Sequence, residues 1–218
     1  KADAAIRSGW VEALGHGRFQ VDGREAVVLK RERRPLVVIT TNEERSLPDA
    51  FLRRCLVLHL TLPEETGATY GENALIKARA AVQATGALSL GDDSGIEVDA
   101  LDGAPGLYSA RFGGPGLDDA GRYTRLLERL RDVPAARRTA RFRCVIALVD
   151  PGGGERVVEG VVEGLVADAP RGSSGFGYDP LFYYPPLART FGELRPEDKH
   201  RVDHRGAAAR AARALLAG

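Results

Sequence analysis

The sequence predicts an α/β fold, a mixed twisted sheet flanked by helices and carrying one long hairpin. Three observations predict it. Short apolar runs rich in β-branched residues recur, as at 35–41 and 156–166. Alanine-rich stretches with helix-start signals stand between them, after Thr69 and from Gly206. Two long strand-like runs, 141–149 and 156–166, flank Pro151-Gly152-Gly153-Gly154, a hairpin pattern. With 218 residues, 44% of them hydrophobic, the chain can bury a substantial core in one large domain, or in a domain and an appendage.

Taken in order, residues 2–14 read as a short helix ended by Gly15 and Gly17. Residues 19–29 alternate around Asp22-Gly23, a second hairpin signal. The run 35–41 is apolar and stops in polar residues, which fits a buried strand feeding a loop. Ser46 and Pro48 open a short helix, and 55–60 reads as another strand. Thr69-Tyr70-Gly71-Glu72 has capping-box spacing and opens a helix that ends at Gly86. A brief strand at 88–91 is expected to stop at Asp92-Asp93-Ser94-Gly95. A helix over 118–131 is stopped by Pro134. Beyond the long hairpin come a glycine-rich loop at 172–179, a helical segment starting at Pro196 and a terminal helix from Gly206.

Composition excludes several classes of function. Lys plus Arg is 31 and Asp plus Glu is 30, and a net charge of +1 leaves no footprint for a nucleic-acid backbone. The one dense basic patch, Lys30 to Arg34, reads as a solvated loop. No apolar run approaches the about 20 residues that span a bilayer, and no signal-peptide pattern is present. Cys55 and Cys144 each sit in an apolar run and read as buried reduced thiols. The opening Lys1-Ala2-Asp3 suggests a processed product or a piece of a longer frame.

Four groups of residues carry chemistry. Asp92 and Asp93 are adjacent carboxylates, whose repulsion favours a cation or a proton between them. Hard oxygen ligands of this kind suit Mg2+. Asn73 and Lys77, at i and i+4, share a helix face from which the lysine can meet a phosphate. Phe176 lies between Gly175 and Gly177, where an aromatic ring can stack on a base. Lys199, His204 and Arg205 supply hydrogen-bond donors. A 6-oxopurine would satisfy such donors and a 6-aminopurine would leave them unpaired. Each group alone reads as well in a bland way: an Asp-rich turn, a solvated lysine, a core-facing Phe, a basic helix start.

Together the groups are more specific. Glu64-Glu65-Thr66-Gly67-Ala68-Thr69, Glu72 to Arg79, Asp92-Asp93-Ser94-Gly95, Gly103 to Arg111, Gly175 to Pro180 and His204-Arg205-Gly206 occur in register. Over 64–218 the chain strongly resembles the inosine/xanthosine triphosphate pyrophosphatase family. The resemblance implies that family's fold. It also implies Mg2+-dependent hydrolysis of non-canonical purine nucleoside triphosphates (ITP, dITP, XTP) to the monophosphate and pyrophosphate, by a cytoplasmic homodimer that cleanses the nucleotide pool. By the same resemblance Glu65 and Asp93 are the metal carboxylates, Asp93 is also the general base, and Lys77 is a phosphate contact. Ser94 contacts substrate, and Phe176, Gly177, Tyr178 and Asp179 form the base loop. Lys199, His204 and Arg205 read the purine. Asp203 departs from the family, which more often has Ser there.

Residues 1–62 depart further. The family begins with a strand and a Thr-x-Asn-x-x-Lys loop, whereas this segment resembles a piece of an AAA+ ATPase, at 11–19 and 35–54. No Gly-x-x-x-x-Gly-Lys-Ser/Thr loop for ATP phosphates occurs. Thr40-Thr41-Asn42-Glu43-Glu44-Arg45 nevertheless matches the family loop with Arg45 in place of lysine. The expected organisation is therefore an extension at 1–34 and a pyrophosphatase domain at 35–218, in which 35–62 replaces the usual first strand, helix and strand. Thr40, Asn42 and Arg45 are expected on the triphosphate, weakened by the Arg-for-Lys exchange and by Glu43 and Glu44. The competing readings are a nucleotide-binding protein without turnover and an AAA+ fragment with a passenger domain.

Overall fold

The structure, a computed structural model, describes residues 18–19, 27–28 and 63–217. The chain divides into two compact units, Lys1–His59 and Leu60–Gly218. In the first, strand β1 (Arg18–Phe19) pairs antiparallel with β2 (Val27–Val28), which fits the hairpin signal at Asp22-Gly23. The helix expected at 2–14 and the elements expected at 35–60 lie outside the described residues.

The second unit is built on a five-stranded sheet of β3 (Ser89–Val98), β4 (Thr139–Val149), β5 (Glu155–Val166), β6 (Phe182–Tyr184) and β7 (Arg189–Thr190), in that spatial order. All four described pairings are antiparallel. The strands on which a mixed sheet depended, 35–41 and 55–60, are outside the described residues. The long hairpin of β4 and β5 forms as expected. Asp150 closes its turn, its carboxylate accepting from Gly152 N at 2.8 Å while Asp150 N donates to Gly154 O at 3.0 Å. The aromatic run of β6 and the short β7 went unread in the sequence.

Helix α1 (Tyr70–Thr85) covers one face of the sheet and α4 (His204–Ala217) the other. The alternation of a strand assigns the partners. Val145, Ala147 and Val149 of β4 pack on Tyr70, Ala74 and Ala78 of α1. Cys144, Ile146 and Leu148 pack on Ala208 and Ala212 of α4. Covering both faces is why β4 reads as a nearly unbroken apolar run. A third cluster joins Ile96, Phe142 and Val166 to Leu126 of α2 (Asp119–Arg129) and to Phe182 and Phe191. The short α3 (Pro196–Val202) leads into α4. Among the described residues no helix is long and apolar enough to cross a membrane.

The capping signal is realised in modified form. Thr69 Oγ1 accepts from Glu72 N at 3.2 Å, but the Glu72 carboxylate takes the N–H of Ala68 at 2.6 Å. Gly86 ends α1 in the left-handed region, at φ 65°.

One expectation is corrected. Asp92-Asp93-Ser94-Gly95 does not end a strand; it is the middle of β3, which pairs with β4 without a break from Ser89–Val149 to Val98–Ala140. The polar side chains persist inside the strand because α1 and α4 supply partners to both of its faces. Gly91 makes this possible on the α1 side. A Cβ there would collide with Ala74 O and lie 2.6 Å from Ala78 N.

Gly91→Ala is therefore expected to destabilise the protein by about 1–3 kcal/mol through overpacking. At Gly71 the nearest atoms to an added Cβ are 3.9 Å away, so Gly71→Ala within α1 should be neutral or stabilising by about 0.5 kcal/mol. Midpoints of urea unfolding check both.

Candidate active site

Asp93 faces α1 and is only 9% exposed. Its Oδ2 accepts from Asn73 Nδ2 at 3.1 Å and its Oδ1 from Lys77 Nζ at 3.1 Å. The i, i+4 spacing thus delivers both side chains to one carboxylate, as the sequence predicts. Asn73, itself buried, accepts through Oδ1 from Gly67 N at 2.8 Å and so fixes the segment that carries Glu65. Lys77 Nζ also donates to Asp92 O at 2.8 Å and pairs with Glu65 Oε1 at 2.8 Å. Arg111 reaches the other oxygen of Glu65 at 3.3 Å. Burial opposes the charge on Lys77, but Glu65 and Asp93 outweigh it and hold the ammonium above the usual lysine range.

An ammonium bridged by two carboxylates marks a place that suits a cation. No group of three or more His, Cys, Asp or Glu side chains able to hold a metal occurs among the described residues. Two carboxylates with room for outside oxygens match the way Mg2+ binds beside phosphates. Glu65 and Asp93 are the residues that would hold such an ion.

Asp92 and Ser94 point to the opposite face of β3. There Ser94 Oγ accepts from Arg205 Nη2 at 2.7 Å, and Arg205 Nε lies 3.6 Å from Asp92 Oδ2. Arg205 stands at the start of α4, where Asp203 accepts from Gly206 N at 2.6 Å. Asp and Ser are both strong helix N-caps, which accounts for the tolerance of Asp at 203. Phe176 is 57% exposed rather than core-facing. Its ring carries Lys199 Nζ at 4.7 Å and Arg205 Cζ at 4.9 Å from the centroid.

Lys199 and Asp179 form a buried ion pair at 2.6 Å, and Asp179 also takes the N–H of Phe176 at 2.9 Å. Burial lifts the Asp179 carboxyl above its ordinary range, with Lys199 acting against the rise. Tyr178 donates to Ser109 O at 2.9 Å, and Ser109 Oγ accepts from Ile96 N at 2.9 Å, which ties the 176–179 loop to β3. Gly177 N donates to Asp119 Oδ2 at 2.7 Å. His204 is buried and stacks on Phe142, with centroids 4.7 Å apart. Burial, then Arg205 and Lys199, push its pKa down to about 3, so the imidazole is neutral.

Between these groups lies a cavity of about 170 Å3, lined by Ser94, Ile96, Phe142, Phe176, His204 and Arg205 among others. The expected residues thus fall into two sets. Glu65, Lys77 and Asp93 meet on the α1 face of β3; Ser94, Phe176–Asp179, Lys199, His204 and Arg205 gather at and around the cavity on the other. Thr40, Asn42 and Arg45 lie outside the described residues. Sequence reasoning assigned no role to Ser109, Asp119 or Arg122, and placed Asn73 on the helix face without a function. Only Asn73 had a readable signal, its spacing from Lys77.

The depressed pKa of His204 has a consequence for stability. An unfolded histidine titrates near 6.5 and the folded one near 3. Between those values the unfolded chain binds the extra proton, so stability falls as pH falls below about 6.5, on the order of 1 kcal/mol per pH unit. His204→Gln should flatten that slope in denaturant unfolding measured from pH 7 to pH 4.

Comparison with known proteins places this arrangement. The model of the Ham1 family matches residues 36–215. A protein of Desulforamulus reducens named dITP/XTP pyrophosphatase is 52% identical over 153 residues, covering 70% of this chain and 76% of that protein. One of the same name from Gloeobacter violaceus is 47% identical over 191 residues, covering 84% and 93%. The structure of a HAM1 protein from Coxiella burnetii superposes with a TM-score of 0.69 at 44% identity, over 72% of this chain and 81% of that one. With its carboxylate–lysine cluster and aromatic-walled cavity on one strand, the chain belongs to the Ham1 family.

Proposed function

We propose that the protein hydrolyses non-canonical purine nucleoside triphosphates, dITP, XTP and ITP, to the monophosphate and pyrophosphate with Mg2+. The observation that carries this reading is β3 itself. Adjacent residues of one strand give Asp93 to an acidic, cation-fitting cluster and Ser94 to a cavity beside an exposed aromatic ring. A triphosphate and its base need those two surroundings side by side.

Glu65 and Asp93 hold the metal in this reading. When bound, Mg2+ neutralises charge on the triphosphate and polarises the attacked phosphorus. Asp93 is the base that takes the proton of the attacking water, and the α–β anhydride bond breaks to release pyrophosphate. Asn73 keeps the Asp93 carboxylate aimed, and Lys77 gives its ammonium to phosphate oxygens. Phe176 stacks on the base, while Lys199 and Asp179 keep its loop in place. His204 and Arg205 offer donors to a 6-oxo group. A 6-amino group would leave the buried His204 donor unpaired, at a cost of about 1–3 kcal/mol, so ATP is a poor substrate.

Thr40, Asn42 and Arg45, outside the described residues, are proposed as further triphosphate contacts on their sequence match to the family loop. The enzyme acts as a cytoplasmic homodimer. Relatives 52% and 47% identical that carry the name dITP/XTP pyrophosphatase support the activity.

Pyrophosphate release from ITP, XTP, dITP, ATP and GTP, with Mg2+ and with EDTA, tests the reading. Release from the first three that depends on Mg2+ is expected, with ATP and GTP much poorer. Asp93→Asn should lower kcat by about 100-fold or more. Arg45→Ala should raise KM for ITP, and an unchanged KM would remove Arg45 from the site. Binding of ITP without turnover by the native protein would sink the hydrolase reading.

A further inference from the structure

The cavity has a wall that the purine reading above does not use. Asp119, the first residue of α2, holds two groups with one carboxylate. Its Oδ2 accepts from Gly177 N at 2.7 Å and its Oδ1 from Arg122 Nη1 at 3.2 Å. The base loop and the Arg122 guanidinium are therefore fixed relative to each other. Both Asp119 and Arg122 line the cavity, together with Phe176, His204 and Arg205.

Arg122 is poorly satisfied for its position. Its side chain is 22% exposed, and its Nε is enclosed with no hydrogen-bond partner among the described residues. Of its five N–H donors, only one on Nη1 has an acceptor there. Enclosed donors of this kind are normally paired, and an unpaired one is costly. The enclosed Nε is out of reach of a ligand, but the remaining Nη donors of a guanidinium at the cavity wall suit an acceptor on a ligand.

A purine bound against Phe176 offers a limited set of acceptors. If His204 and Arg205 take the oxygen at position 6, the neighbouring edge presents position 2. Hypoxanthine carries only hydrogen there, guanine carries an amino donor, and xanthine carries a second carbonyl oxygen. The position-2 oxygen of xanthine is therefore the acceptor left for a guanidinium donor. A guanine amino group would set donor against donor.

We propose that Arg122 is a specificity-determining residue that recognises the 2-oxo group of xanthine, favouring XTP over ITP and disfavouring GTP. The inference rests on the pyrophosphatase reading and deepens it. The experiment compares kcat/KM for ITP, dITP, XTP, dXTP and GTP in the native protein, Arg122→Leu and Arg122→Gln, with thermal unfolding confirming that each variant folds. The XTP-to-ITP ratio should fall about tenfold or more in Arg122→Leu, with the dXTP-to-dITP ratio falling in step and GTP gaining on ITP. Arg122→Gln, which keeps a polar donor, should lie between and supplies the same ratios should the leucine variant not fold. Equal losses for XTP and ITP would overturn the proposal and make Arg122 a structural or phosphate-side group. A loss that follows the ribose 2′-hydroxyl instead of the base would overturn it in favour of sugar recognition. A native protein that cleaves neither ITP nor XTP would defeat the underlying reading first, a result distinct from either.

Discussion

The arrangement depends on the contact between α1 and β3 at Gly91. Without a side chain there, the helix backbone lies directly on the strand, with Ala74 and Ala78 buried against it. That closeness matters most for Asn73, whose short side chain must reach Asp93 and hold Gly67 N at the same time. Lys77 could span a wider gap; Asn73 could not. The segment carrying Glu65 is in turn positioned through Asn73. One missing Cβ therefore sets the distance between the helix and the strand, and with it the meeting of two acids and a lysine. Three alanine or glycine positions do what a larger packed core does elsewhere.

A strand also divides chemistry by face. Neighbouring residues of β3 point oppositely, so Asp93 joins α1 while Asp92 and Ser94 join Arg205 of α4. Polar groups in a central segment are tolerable because each meets a fixed partner, and the net gain of such bonds is modest beside the cost of leaving them unmade. The aromatic on the second face is held in the open in a comparable way. Two cations touch the Phe176 ring, each contact worth about 0.5–2 kcal/mol, and Asp179 ties down both the loop and Lys199. The site is organised by the fold rather than assembled by a ligand.

Features legible in the sequence were those set by near neighbours in the chain. The cap at Thr69, the left-handed Gly86, the Pro151–Gly154 turn and the shared face of Asn73 and Lys77 each follow from spacings of a few residues. Asp92-Asp93-Ser94-Gly95 misled because a polar cluster normally ends a strand, and its partners here come from 20 residues before and 111 after, in Asn73 and Arg205. The same distance hid Ser109, Asp119 and Arg122, whose roles exist only once α2 and the base loop meet β3. Phe176 between two glycines read equally as a stacking ring or as core, and Gly175 and Gly177, both with positive φ, flank a ring that is exposed. The six motifs in register identified the family despite these local errors, because a set of long-range contacts constrains many positions at once.

The balance of charge differs between the two faces, and this separates what each can recognise. Around the cavity, Lys199 is matched by Asp179, Arg122 by Asp119, and Arg205 has Asp92 nearby, while His204 is neutral. Such a pocket has little net charge, so in the proposed function it would select by the direction of its hydrogen bonds, the property that distinguishes one purine edge from another. On the α1 face, Glu65 and Asp93 are met by Lys77 and Arg111. That balance is also near zero, and a triphosphate brings several negative charges to it. Lys77 has no donor left for those charges while its ammonium is taken up by Glu65, Asp93 and the Asp92 carbonyl. In the proposed reaction Glu65 and Asp93 would hold the Mg2+, and Lys77 would then be free to turn its ammonium to the phosphates. The pairing of Lys77 with both acids thus agrees with the Mg2+ dependence proposed above.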